Sequence, residues 1–485
     1  MTAQAQAAQP SLRTTVRDPR HGSRASLLWT LYFHAPLTRQ ELVRRTGLSA
    51  TTVRTVIGKL IAEGVVTEGA VTESLITQDA ITSGTVGKDG VITDAASKDA
   101  VTKGIVTKGI VTEGVVTEAE SALVAAGRRA AARLRLVPEH RYVIGVEVAD
   151  TRVRVGLFDL ALTQRAGVVY PLPSAERDAK TVVGHILTGL DAVIEEAAIP
   201  QGHILGAGIG VSATGWNALP LERLLSTGTA LPLHIDNGAE AMGRAEMWFG
   251  AGRGVQHAVV AVIGSGVSAS VITHGVPYRG ATNSAGEWGH TTVQAGGRRC
   301  RCGARGCLEA YVGAEAVLER FRQARRGRTI PGADNESTFA GLLAAADTSS
   351  AAQRVLEEAA VYLGAGIANL VNLFNPQRII LGGWAGLLFG ARMLPRIRET
   401  VAAQALRRPY AHTTIGLCRL GPHAVALGAA TVPVGRFLTE DAHRPARRLA
   451  TTPRRALTGT PVDRSPTATP RRALMGAPPT RTPVP

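Results

Sequence analysis

Three of the chain's four cysteines fall within eight residues of one another, in the stretch EWGHTTVQAGGRRCRCGARGCLEA from Glu287 to Ala310. A histidine, His290, stands ten positions before the first of them. No other feature constrains the fold as strongly, because sulfur donors bunched around an imidazole ask one short loop to close on itself. Such a set serves a catalytic metal, a structural metal or a DNA-reading finger, and the spacing alone leaves that choice open.

Four cysteines, three of them clustered, do not form a disulfide framework, so a reducing cytosol is expected. The first residues lack a basic stretch followed by an apolar one, so no export leader is expected. No apolar run reaches the roughly 18 residues that a bilayer span requires, so no membrane association is expected. A chain of 485 residues is long enough for two or three domains.

The formal charge of +16 is unevenly placed. Residues 1–60 carry nine Lys/Arg against two acids, and residues 435–485 carry ten Arg against three, which leaves the long middle nearly neutral. A basic head on a neutral body points to nucleic acid as the head's partner.

Residues 24–68 support that reading. Leu27, Leu28, Leu31 and Tyr32 recur at helical spacing. Thr38 followed by Glu41 is a capping box that starts a second helix at Arg39. Gly47 ends it, and Ser49 can cap a third helix running to about Glu63, with Val53, Val56, Ile57, Leu60 and Ile61 as its inward stripe. A strand follows in GVVTE, completing a winged helix-turn-helix pattern. Off the stripe lie Ser49, Thr51, Thr52, Arg54, Thr55 and Lys59, short hydroxyls and cations of the kind a major groove accepts; with Arg39 they are the expected DNA contacts.

Two segments fit no packed domain. Residues 64–118 repeat a Val-Thr unit, ending AVTKGIVTKGIVTEGVVTE with a five-residue period and no aromatic residue. That composition matches no established solenoid rung and reads as an expansion of the wing hairpin, flexible or loosely β-structured. The carboxyl-terminal segment repeats TPRRAL at Thr452–Leu457 and Thr469–Leu474 amid Pro and Thr, and reads as disordered. Arg128 and Arg129, in AGRRAAARLRL, are positioned either for phosphate contacts or as part of a solvated linker.

From Arg141 the pattern turns to strands: RYVIGVEVAD, TRVRVGLFDL and TQRAGVVYPL, then a second set from His257 in HAVVAVIGSG and VSASVITHG. Two meander openings, each followed by helical segments, indicate two similar α/β lobes around a cleft, the duplicated RNase H-like architecture of actin and hexokinase. The expected division is a disordered terminus at 1–19, the winged head at 20–68, the repeat at 69–126, lobes at 127–255 and 256–435, and a disordered basic tail at 436–485.

Four motifs then resemble the ROK family of repressors, open reading frames and sugar kinases: AGEWGH at Ala285–His290, CRCGARGCLEAY at Cys300–Tyr311, NPQRIILGG at Asn375–Gly383 and ALGAAT at Ala426–Thr431. With the head in front, the chain resembles the repressor branch over about residues 20–68 and 127–435. His290, Cys300, Cys302 and Cys307 offer one nitrogen and three sulfurs, a closed set suited to structural Zn2+. No fourth position remains for a catalytic water, and no recognition helix follows at finger spacing. The resemblance implies that this zinc shapes a sugar pocket and helps couple it to the head.

The resemblance also implies kinase machinery, and the residues depart from it. Family kinases use the aspartate of an Asn-Asp pair as base toward a sugar hydroxyl. In HIDNGAEAMGRAE, aligning Glu246 with the family's closing glutamate puts Asn237 on the Asn and Gly238 on the aspartate. The phosphate loop Asp-x-Gly-Gly-Thr becomes Glu147, Val148, Ala149, Asp150 and Thr151, which adds a side chain and a carboxylate where phosphate would sit. No catalysis is expected.

Family sugar contacts carry over to Asn237, Glu287, His290 and Glu309, although Glu287 and Glu309 also suit a role in orienting the zinc ligands. In GVSATGW, Gly210–Trp216, the family's longer Pro-Gly loop is shortened, with Ala213 and Thr214 in place of its Asn-Leu. The expectation is a cytosolic repressor of sugar-utilisation genes, such as those for xylose, acting as a homodimer or a dimer of dimers, with operator DNA and a sugar effector as partners. A sugar kinase and a regulator that has lost sugar sensing are the alternatives.

Overall fold

The computed structural model describes residues 22–69, 132–172, 178–211, 221–327, 332 and 334–439. The expected terminus 1–19, residues 70–126 of the repeat expected over 69–126, residues 440–485 of the tail expected from 436, and Arg128, Arg129, Ala213, Thr214 and Trp216 lie outside these residues. Residues 436–439 of that tail, expected to be disordered, instead finish the last helix, Ala424–Thr439, where Leu438 is buried, and Gly69 closes a strand.

The head is built from local signals. Helix α1, Ser23–His34, is followed by α2, Arg39–Thr46, and α3, Ala50–Ala62. The Thr38 hydroxyl accepts from the Glu41 amide at 3.2 Å, and the Glu41 carboxylate accepts from the Thr38 amide at 2.7 Å, closing the capping box. This satisfies two orphan donors of the first turn and contributes about 1 kcal/mol. α2 stops at Gly47, whose φ of 70° a residue with a Cβ adopts only with strain. The Ser49 hydroxyl accepts from the Thr52 amide at 3.0 Å and starts α3. Leu27, Leu28, Leu31, Leu42, Val53, Ile57 and Leu60 fill the centre, while Val56 and Ile61 of the expected stripe are only half-buried.

The wing is the first long-range feature. Strand β1, Val66–Gly69, pairs antiparallel with β2, Arg133–Leu136, placing Val66 opposite Leu136 and Gly69 opposite Arg133. Leu37 exchanges backbone bonds with Leu134 at 3.1 and 2.8 Å, adding a third segment. The chain therefore leaves the head at Gly69 and rejoins it at the adjacent Arg133. β2 lies in the stretch expected to open the first lobe, yet it pairs with the wing.

The body holds two five-stranded sheets of one pattern. The first has strands β3, Tyr142–Val148; β4, Arg152–Asp159; β5, Gln164–Pro171; β6, Ile204–Val211; and β7, Leu233–Asn237, in the order β5-β4-β3-β6-β7. The second has β8, Ala258–Ile263; β9, Val267–Thr273; β10, Val276–Pro277; β11, Arg378–Gly382; and β12, Thr414–Leu417, in the order β10-β9-β8-β11-β12. In each sheet the first three strands are antiparallel and the last two add in parallel.

Helix α4, Ala179–Ala197, covers one face of the first sheet through Val182, Ile186, Leu190 and Val193. Short α5, Leu221–Leu225, precedes β7, and α6, Gly238–Trp248, follows it. The second sheet carries α7, Glu309–Val312; α8, Ala314–Ala324; α9, Asn335–Ala345; α10, Ser350–Phe374; α11, Trp384–Gln404; and α12, Arg407–Ala411. The last helix, α13, Ala424–Thr439, falls in the sequence range expected for the second lobe but packs on β3 and β6 of the first sheet and along α6. Its small residues Ala426, Ala429 and Ala430 are buried there, allowing the close approach.

Head and body share a core. Trp29, Tyr32 and Phe33 of α1 set their rings 5.5, 5.7 and 5.1 Å from that of Trp248, the last residue of α6, in edge-on contacts. Among the described residues no helix is long and apolar enough to cross a membrane.

Candidate functional site

His290 ends a 3-10 turn, Trp288–His290, and the cysteines follow on a loop folded back beside it. The loop is pinned from below. The Tyr311 hydroxyl accepts from the Arg298 amide at 2.9 Å and donates to Gln294 at 3.0 Å, and Arg298 pairs with Glu358 of α10 at 2.8 Å. Gly306 has φ 84°, and a Cβ there would lie 1.8 Å from the Gln294 carbonyl oxygen, so glycine is required at the turn before Cys307.

One ligand atom from each of His290, Cys300, Cys302 and Cys307 lies within 4.8 Å of all the others. Cys300 Sγ is 3.5 Å from His290 Nδ1, and Cys302 Sγ is 3.7 Å from Cys307 Sγ. A tetrahedron with metal–sulfur bonds of about 2.3 Å and metal–nitrogen bonds of about 2.0 Å has edges of about 3.8 and 3.5 Å. Two of the six donor–donor distances match those edges and all lie within 4.8 Å, so the four donors could hold a tetrahedral metal ion. Burial pushes the Cys300 thiol up to about 12, whereas the Ala304 amide holds Cys302 below the ordinary thiol value. A bound cation would supply the charge that lets the buried thiol ionise.

Glu309, the glutamate after the third cysteine, is buried. Its Oε2 accepts from the Val267 amide at 3.0 Å, and Arg301 holds both oxygens, Nε to Oε1 at 2.7 Å and Nη2 to Oε2 at 2.8 Å. Cys300 Sγ lies 3.7 Å from Glu309 Oε1, so His290, Cys300 and Glu309 form one cluster. Glu287 is exposed at the start of the His290 turn. Asn237 stands on the first sheet, its side chain accepting from the Ala239 amide at 2.7 Å as the cap of α6. The Arg301–Glu309 pair escaped sequence reasoning; its only signal is the cation inside Cys-Arg-Cys.

Asn237 sits among charges. Asp236 accepts from Arg244 and from Arg279, each at 2.8 Å, and Arg279 approaches Glu240 at 3.4 Å. Arg279 follows β10, so this cluster ties the second sheet to the first. Burial would raise Asp236, but Arg244, a hydrogen bond with Glu240 and Arg279 outweigh it and hold the carboxyl low. Burial, the hydrogen bond with Asp236 and that residue's charge push Glu240 up to about 7. Gly238 is buried at the first turn of α6. At the phosphate-loop position Glu147 is buried, with Arg154 Nε at 3.6 Å, and burial raises its carboxyl above the usual range against the pull of Arg152 and Arg154.

On the head, Thr51, Arg54, Thr55 and Lys59 are exposed along one side of α3. Ser49 is exposed with its hydroxyl 2.8 Å from that of half-buried Thr52. Arg39 is held by the wing, its Nη2 bonded to Glu68 Oε2 at 2.8 Å and its Nη1 to Oε1. Sequence reasoning overlooked Arg44 and Arg45, exposed at the end of α2.

A winged helix-turn-helix on a duplicated, sugar-kinase-like body with a Cys3His knuckle defines the class. Residues 26–67 fit the winged helix-turn-helix DNA-binding model, and residues 143–434 fit the ROK family model. The chain belongs to the ROK family. It is 33% identical over 277 residues to a putative xylose repressor of Caldicellulosiruptor sp. (strain Rt8B.4), covering 52% of this chain and 69% of that protein. It is 30% identical over 319 residues to a glucokinase of Halalkalibacterium halodurans, covering 59% of this chain and 93% of that one. The fold is that of a ROK family transcriptional regulator, a homologue of the Escherichia coli MLC protein, with a TM-score of 0.63 at 20% identity over 86% of this chain and 96% of that one.

Proposed function

We propose that this protein is a sugar-responsive transcriptional repressor that has lost phosphoryl transfer. The observation that carries the reading is the combination of an exposed hydroxyl-and-cation face on α3, Thr51, Arg54, Thr55 and Lys59, with a body whose base position is Gly238. The α3 face enters a major groove, and Arg39 braces the wing through Glu68 rather than reading a base. In the cleft, Asn237, Glu287, His290 and Glu309 meet the sugar, and a structural zinc ion on His290, Cys300, Cys302 and Cys307 orders the loop that presents two of them. The repressor works in the cytosol as a homodimer, because one winged head buries little DNA surface.

Catalysis is opposed at the base position. Gly238 has no group to accept a proton, and the neighbouring Asp236 carboxylate is committed to Arg244 and Arg279. Fluorescence anisotropy of labelled DNA from the gene's own upstream region, at fixed salt with and without xylose or glucose, tests the reading. Sequence-selective binding altered by one sugar supports it. ATP-dependent phosphorylation of either sugar by the same preparation overturns the loss of catalysis.

A further inference from the structure

Helix α6 touches both ends of the problem. At its start, Asn237 is a proposed sugar contact, and Asp236 and Glu240 are gripped by Arg279 from the other sheet. At its end, Trp248 is the surface on which Trp29, Tyr32 and Phe33 of the DNA-binding head rest. Its 11 residues separate the two by about 16 Å.

Between these ends the helix is held stiffly. Nearly every residue from Gly238 to Glu246 is buried, against α13 on one side and β8 and β9 on the other. Near the end, the buried Glu246 carboxylate accepts from the amides of Ala251, Arg419 and Leu420 at 2.6, 3.1 and 3.1 Å and from the Cys418 thiol at 2.8 Å. A packed helix with both ends fastened does not bend to absorb a displacement; it shifts as a unit.

We propose that α6 is the transmission rod of the molecule. Movement of the second sheet against the first, registered where Arg279 grips Asp236, reaches the head through the seat of Trp248 under α1. The proposal rests on the repressor reading for its purpose, but its physical content does not need a ligand. Coupling between the two ends is reciprocal, so loosening either one must be felt at the other.

The test is hydrogen–deuterium exchange of the full-length protein, without sugar or DNA, on R279Q, W248L and a control, R396Q. Arg279 is largely exposed, so R279Q is expected to fold. Its α1 amides, residues 23–34, should exchange faster by about tenfold although residue 279 lies at the far end of the rod. W248L should in turn speed exchange over residues 278–287. R396Q, which breaks outer-surface pairs with Glu357 and Glu399, should move neither segment. If W248L does not fold, W248F, which keeps a ring in the seat, should leave 278–287 close to wild type, and the R279Q result decides. Changes confined to the neighbourhood of each substitution overturn the proposal. A wild-type protein whose DNA binding ignores xylose and glucose would count against the sensing reading instead, and leaves the exchange result to decide the coupling.

Discussion

Arg301 takes both carboxylate oxygens of Glu309, at 2.7 and 2.8 Å, directly beside the metal-type cluster. An acceptor proposed for a sugar hydroxyl is therefore already satisfied, and a ligand must share Glu309 with Arg301 or displace it. R301M leaves a buried carboxylate with the Val267 amide and, at 3.7 Å, the Cys300 thiol as its remaining hydrogen-bond donors among the described residues. It should cost about 1–3 kcal/mol in urea unfolding, the usual penalty for stranding a buried polar group. An unchanged midpoint would mean that water replaces Arg301 and that the pair is ornamental.

Metal content tests the knuckle. The purified chain should carry about one zinc per polypeptide by elemental analysis, and C302S should lose it, since a closed site does not tolerate a missing ligand. Chelation should lower the unfolding temperature of the wild type and leave C302S unchanged.

DNA recognition should divide by residue type. R54A should cost about 1–3 kcal/mol of affinity for the preferred sequence and relax selectivity, as expected for loss of a base contact. K59A should weaken binding to all sequences alike and flatten the salt dependence by about one unit of slope. R39A should instead act through the wing, lowering the stability of the head because Glu68 loses its partner.

The cluster at the start of α6 makes stability depend on pH in a known direction. Glu240 is raised from 4.5 to about 7, so the folded state holds its proton more tightly than the unfolded chain does. Its contribution is complete below about 4.5 and is lost as pH rises through about 7. Urea midpoints of the wild type should therefore fall relative to those of E240Q between pH 5 and pH 8. Parallel curves would remove Glu240 as the titrating group.

Restoring one lesion should not restore a kinase. G238D returns the base position, but Ala149 and Asp150 remain in the phosphate loop, so no sugar-dependent ATP turnover is expected in a coupled assay. Turnover by G238D alone would show that the loop is competent and that Gly238 was the only defect.

The sequence by itself determined whatever depends on neighbours a few positions apart. The box at Thr38 and Glu41, the stop at Gly47 and the cap at Ser49 are hydrogen bonds or backbone conformations within one turn, so the second and third helices were legible to within a residue. Apolar strand-like runs marked the first three strands of one sheet and the first two of the other, and the closely spaced cysteines with His290 marked the knuckle. Tertiary structure alone decided the partners of the arginines. Arg39 meets Glu68 across 29 positions, and Arg279 meets Asp236 across 43, because a long charged side chain satisfies itself wherever folding brings a carboxylate. The same holds for β2 joining the wing across the insertion and for α13 returning to the first sheet, since strand pairing and helix packing are settled by burial between distant segments.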